Sequence, residues 1–261
     1  MEKPLQPESI VPEKLTSPIS AKILVLILGV VVAFQAFILS IPEEAREAPI
    51  TIVSIVFPTL AAGAAFYVAN KYRGSDVFGK AYFALGLGIA MNALGETVWL
   101  IYYFQGVDPY PSIADIFYLA FYPLAFYHLQ KNIRFFKPKI DIGTKALIAI
   151  IPVAIVSIYS VLSLREIGEA NFDFYYGFSY IISAAVVLSA AILGARIFRQ
   201  GVLGKAWLLL VLGIVATTTG DVWYFYLETY GQYHLAHPVD LCWYAGWMVI
   251  TYALFKHKKI I

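Results

Sequence analysis

The sequence predicts an all-α integral membrane protein in which eight transmembrane helices form two parallel four-helix repeats. Three observations carry that prediction. Of 261 residues, 60% are hydrophobic and only 14% charged; the apolar residues run in long blocks, giving a mean hydropathy of +0.72; and the chain matches itself when shifted by 125 residues. A soluble domain carries about 25% charge. This composition therefore excludes a water-soluble enzyme, a disordered chain and a nucleic-acid-binding protein. Cys242 is the single cysteine, so no intrachain disulfide or thiolate metal cluster forms.

A helix crosses a hydrocarbon core of about 30 Å with about 20 apolar residues. Eight stretches meet that requirement: 22–41, 50–69, 79–104, 113–130, 145–163, 174–195, 205–228 and 238–255. Residues 1–20, with four prolines and mixed charges, read as a cytoplasmic tail. A cleavable leader would have a short basic start and a small-residue site behind its apolar run. A first four-helix repeat then covers 21–130, a basic cytoplasmic connection 131–145, a second repeat 146–256 and a short cytoplasmic tail 257–261.

The charges set the expected orientation. Of 19 Lys and Arg residues, 17 fall in the tails and in the connections at 70–80, 131–145 and 196–205. The other side holds Arg46 and Arg165 with seven acids, among them Glu43, Glu47, Asp108 and Asp173. The positive-inside rule then predicts a multi-pass protein of the cell membrane with both termini cytoplasmic. The basic 131–145 connection reads as a topogenic loop, with anionic-lipid or partner docking as its alternative.

The repeat is gapless over 77–131 against 202–256, with 15 identities in 55 positions. Gly88 and Gly95 fall on Gly213 and Gly220, Glu96 on Asp221, Asp115 on Asp240, and Tyr118 and Tyr122 on Trp243 and Trp247. An even number of helices per repeat keeps both in one orientation, so the pseudo-twofold axis should follow the membrane normal. The glycines, seven apart on one face, predict close helix packing.

The repeat also predicts a site. Asn92, Glu96, Trp99 and Tyr103 share one face of the third span, and Thr217, Asp221, Tyr224 and Glu228 share the matching face of the seventh. Asp115, Tyr118 and Tyr122 share a face of the fourth span; Asp240, Trp243 and Trp247 share that of the eighth. Charged side chains in hydrocarbon are costly, so these acids should line a wet cavity toward the outer side. Asp115 and Asp240 sit in first helical turns, where capping suffices to explain them. Glu96 and Asp221, deep in their spans, are the expected centre. Trp99, Tyr102, Tyr103, Tyr110, Tyr175 and Tyr176 taken singly fit an interfacial aromatic belt.

Other chemistry is weakly signalled. His234, His237 and Asp240 could share a helical face, but His237 precedes a proline and the first repeat has Pro109 and Ser112 there, so no metal is expected. His128 stands alone near the inner end, which argues against haem. No lysine lies midway along the last span for a retinal Schiff base, and no phosphate-cradling loop or nucleophile elbow occurs. The expectation is a non-enzymatic protein with no cofactor.

One segment is similar to a known group. Pro109-Tyr110-Pro111-Ser112-Ile113-Ala114-Asp115-Ile116-Phe117-Tyr118, followed by Tyr122-Pro123 and preceded by Gly95-Glu96-x-x-Trp99, resembles the multi-helix membrane-embedded input regions of prokaryotic histidine kinases and diguanylate cyclases. In the second repeat His237-Pro238-Val239-Asp240 replaces the Pro-Ser pattern. No output domain follows in this sequence, so the resemblance implies a sensing module working through a separate signalling protein on the cytoplasmic side. The expected function is a membrane-embedded ligand-binding or sensing module, a receptor for a small cationic or amphipathic ligand held by charge pairing and cation–π contact. The alternatives are a small secondary transporter coupled to protons or cations, or a non-catalytic subunit of a larger membrane complex. Apolar residues below Asn92 and Thr217 favour binding over transport.

Overall fold

The computed structural model describes residues 19–107, 110–136, 139–198 and 204–257. Most of both tails, and Lys137 of the basic connection, lie outside these described residues. Among the described residues the chain forms helices and no strand: α1 (Ala21–Ser40), a 3₁₀ turn (Glu43–Ala45), α2 (Glu47–Lys71), α3 (Phe78–Gln105), α4 (Ile113–Phe136), α5 (Ile142–Ile167), α6 (Phe172–Phe198), α7 (Gly204–Thr229) and α8 (Asp240–Lys256).

Six of these are long and apolar enough to cross a membrane: α1, α2 with its preceding turn, α3, α5, α6 and α7. The expected fourth and eighth spans differ in kind. With 17 residues, α8 is about 26 Å long. The helix α4 has 24 residues, but His128, Gln130, Lys131, Asn132 and Arg134 make its last turns polar. Those polar residues stay helical, so of the expected 131–145 connection 131–136 belong to α4 and 142–145 to α5. Asp141 caps α5, its carboxylate accepting from Thr144 N at 2.9 Å and from Thr144 Oγ1 at 2.6 Å. Those bonds hold the Asp141 carboxyl below its ordinary range.

Consecutive helices pack in pairs from α2 to α4 and from α5 to α8, and the contacts of α8 with α2 and α4 with α6 close the bundle. Two groups of connections mark its ends. At the acidic end the Tyr110 hydroxyl donates to Asp173 at 2.8 Å, and Gln35 Nε2 donates to the Ala236 carbonyl at 2.6 Å. At the basic end Ser20 N donates to the Tyr252 hydroxyl at 2.9 Å.

Contacts recur at positions 125 residues apart. Gly106 and Gly231 end α3 and α7 in the left-handed region, at φ 64° and 59°. Behind them Val107 N bonds to Tyr102 O, and Gln232 N to Leu227 O, closing equivalent C-caps. Lys131 lies 5.5 Å from the Tyr127 ring centroid, and Lys256 lies 5.5 Å from that of Tyr252. Tyr82 and its counterpart Trp207 touch each other, ring centroids 5.6 Å apart. The departures are the outer helices: α1 lies on α8, whereas α5 lies on α6 and α7.

Candidate functional site

Small residues let the site form. A Cβ on Gly95 would stand 2.6 Å from the Tyr118 ring, and one on Gly220 would stand 2.9 Å from the Trp243 indole nitrogen. Each aromatic ring therefore packs directly on the facing glycine, with its polar group beside the next residue, an acid. Tyr118 donates to Glu96, and Trp243 Nε1 donates to Asp221 at 2.8 Å. Tyr122 supplies Asp221 with a second donor.

The first-turn acids do more than cap. Asp115 accepts from Ser112 N at 2.8 Å through one oxygen, closing the helix start. Its other oxygen accepts from Tyr180 at 2.8 Å and also from Tyr176. Asp240 is 1% exposed, not solvated as a surface cap would be. One of its oxygens accepts from Tyr233 at 3.3 Å, and the other, Oδ2, is buried with no hydrogen-bond partner among the described residues. Tyr233 stands in the connection between α7 and α8; burial, with the Asp240 carboxylate beside it, raises its hydroxyl well above the ordinary tyrosine value.

These groups face one cavity of about 370 Å³ at the acidic end, within the range of small-molecule sites. Of the sequence-predicted residues, Glu96, Asp221, Asp115, Asp240, Asn92, Trp99, Tyr118, Tyr122, Tyr224, Trp243 and Trp247 line it. Three residues of the predicted faces do not: Thr217, which is buried with its hydroxyl donating to the Ile214 carbonyl, Tyr103 and Glu228. Tyr103 sits a turn beyond the cavity rim, with its ring against Phe104. Glu228 is exposed at the end of α7, beyond Tyr224, to which it is hydrogen-bonded. The α-helical face continues past the cavity and carries both out of it.

Sequence reasoning missed several lining residues. Glu47, from the start of α2, brings a fifth carboxylate and accepts from Trp99. Tyr176 and Tyr180 of α6 line the wall, as do Ser54 of α2, Tyr244 of α8 and Tyr233. Tyr176, expected in the lipid-facing belt, faces inward because Asp115 binds its hydroxyl. The lack of self-match between the 50–69 and 174–195 spans hid Ser54, Tyr176 and Tyr180.

Among the described residues, five carboxylates thus share a cavity lined by no lysine, arginine or histidine. The ion pair recorded among the described residues, Lys80 with Asp76, is at the other end of α3. Beneath the cavity Leu85, Ile89, Leu210 and Ile214 are fully buried. Below them Tyr82, Trp207, His128 and His257 pack ring on ring. His128, expected to stand alone, therefore shares a cluster with His257, which the chain-end position of that residue concealed. The His234 and His237 rings lie 5.2 Å apart, and no group of three metal-ligating side chains occurs among the described residues. No family model, no curated protein and no solved structure matches this chain.

Proposed function

We propose that this chain is a membrane-embedded ligand-binding or sensing module whose cavity takes a small cationic or amphipathic ligand from the outer side. The observation that carries the reading is the unbalanced lining among the described residues: five carboxylates, rings from α3, α4, α6, α7 and α8, and no basic side chain. Tyrosine hydroxyls and indole N–H groups give the acids neutral donors, and the Ala236 backbone gives Asp240 another, but Oδ2 of Asp240 is buried with no hydrogen-bond partner within 3.5 Å among the described residues. An ammonium group would supply both the donor and the charge, while the surrounding tyrosines and tryptophans offer cation–π faces.

In this reading all eight helices cross the membrane, α4 and α8 shielded by their neighbours, as two parallel four-helix repeats. The contacts 125 residues apart and the Tyr82–Trp207 pair, equivalent residues in mutual contact, support a twofold along the membrane normal. The basic end faces the cytoplasm by the positive-inside rule. Transport is the second reading; the four buried aliphatic residues and the aromatic layer below the cavity argue for binding instead. The resemblance to sensor input regions suggests a separate signalling protein as the partner.

The test is thermal unfolding in detergent with primary, quaternary and aromatic ammonium compounds. A ligand at about 100 times its Kd stabilises by about 2.7 kcal/mol. A clear rise in Tm is expected for wild type and none for E96Q/D221N, whose amides keep hydrogen-bonding capacity. Indistinguishable ligand responses in the two proteins would overturn the reading.

A further inference from the structure

Away from the cavity, α1 and α2 splay apart. At the acidic end they meet, Ile38 packing with Ile50 and Ala236. Toward the basic end α1 lies on α8 and does not run along α2. The gap is a groove of about 220 Å³ walled by Ile27, Phe57 and Leu60 and floored by Met248, Tyr252 and Phe255. Its lining is almost wholly apolar, and Leu60 and Phe255 stay 57% and 63% exposed. From Met248 to Phe255 the floor extends about 10 Å along the helix.

The open end of this groove is basic. Ser20 N donates to the Tyr252 hydroxyl, which ties the start of α1 to a residue of the groove floor, and Lys22, two residues on, is exposed. Lys256 lies over the Tyr252 ring, 5.5 Å from its centroid. Among the described residues no acid lines the groove. An acyl chain in the groove would thus end its glycerophosphate between Lys22 and Lys256.

We propose that this groove is a binding site for one anionic phospholipid of the leaflet at the basic end. Its acyl chain lies between α1 and α2, and its phosphate is held by Lys22 and Lys256. Acyl chains gain little by leaving bilayer for groove, since both are apolar, so the selection rests on the headgroup. Each lysine near an anionic headgroup is worth about fivefold in affinity, so the pair gives a preference of about 25-fold over a zwitterionic lipid of the same chains. The site is independent of the acidic cavity, and the two proposals stand or fall separately.

The experiment is native mass spectrometry of the full chain from detergent, titrated with phosphatidylglycerol or phosphatidylcholine of identical chains. Wild type is expected to bind one phosphatidylglycerol with about 25-fold preference. K22Q/K256Q should lose that preference yet still bind either lipid weakly, while L60W, at an exposed position, should lose the bound lipid. Equal affinity for both lipids in wild type overturns the proposal, as does a preference that survives K22Q/K256Q. Glycerol phosphate without chains should not compete; full competition by it would make this a free-phosphate site. A dimer disrupted by L60W would make the groove an interface between copies, and would also overturn it.

Discussion

On α3 and α4, Gly95 admits the Tyr118 ring and the hydroxyl reaches Glu96; on α7 and α8, Gly220 admits Trp243 and the indole N–H reaches Asp221. The second pair has the larger aromatic and the shorter acid. A wider ring that fills more of the gap leaves room for one fewer methylene in the acid. The helix contacts differ in the same complementary way. Gly88 faces the Phe121 carbonyl, whereas Gly213 faces that of Gly246, a glycine-on-glycine crossing. In each proposed repeat the geometry is kept by pairs of residues that change together, which shows that the contact, and not either side chain, is what the fold requires.

The largest effect expected from this comparison is at the glycine crossings. An alanine Cβ at Gly213 would meet Ile250 Cγ1 at 2.5 Å and the Gly246 carbonyl at 3.0 Å; at Gly88 it would meet Leu124 Cβ at 3.0 Å and the Phe121 carbonyl at 3.3 Å. Overpacking costs about 1–3 kcal/mol. G213A should fall near the top of that range and G88A near the bottom, measured by unfolding in detergent. Equal losses would mean that the two crossings do not differ in closeness.

A smaller effect should follow from moving one pair's solution into the other. E96D alone draws the carboxylate back from the Tyr118 hydroxyl, and Y118W alone crowds the ring against Gly95. Together they reproduce the Asp221–Trp243 arrangement. The double variant should be more stable than the sum of the single losses by about 1 kcal/mol, the coupling of residues in direct contact. Additive losses in the double-mutant cycle would break the equivalence of the two pairs.

What the sequence made legible follows the same division. The glycines, acids and aromatics of α3, α4, α7 and α8 must keep step with one another, so a shift of 125 residues exposes them. Glu96, Asp221 and their tyrosine or tryptophan donors were found in that way. The outer walls obey a looser rule. Positions on α2 and α6 that face lipid accept any apolar residue, so the correspondence of these helices in packing left no trace in their sequences, and Tyr176, Tyr180 and Glu47 were missed with them. The placement of α1 was hidden for a related reason: a helix apolar on every side carries no stripe to say which neighbour it meets. Tyr233 and His257 lie outside helical periodicity, where spacing tells nothing about facing.

The smallest effect separates the starts of α4 and α8. Ser112 Oγ accepts from Ala114 N at 3.1 Å; 125 residues on, His237 Nδ1 accepts from Val239 N at 3.2 Å. The same turn is thus held by a hydroxyl in one half and an imidazole in the other. Accepting that N–H needs a free lone pair on Nδ1, so the bond exists only while His237 is neutral. Burial, with His234 nearby, lowers the His237 value below its ordinary one. A base whose folded value is lowered contributes stability that is fully present above about pH 6.5, its unfolded value, and is lost as pH falls through the folded value. Acidification should therefore loosen the start of α8 and leave that of α4 untouched. His237 is only half-buried, so solvent screening keeps the effect small, on the order of 1 °C in Tm. H237S, which puts the α4 solution at the start of α8, should keep the turn and lose this part of the pH dependence. The measurement is the difference in Tm between wild type and H237S from pH 7.5 to pH 5, which cancels the carboxylates common to both. A constant difference across that range would show that the imidazole does not hold the turn through its neutral form.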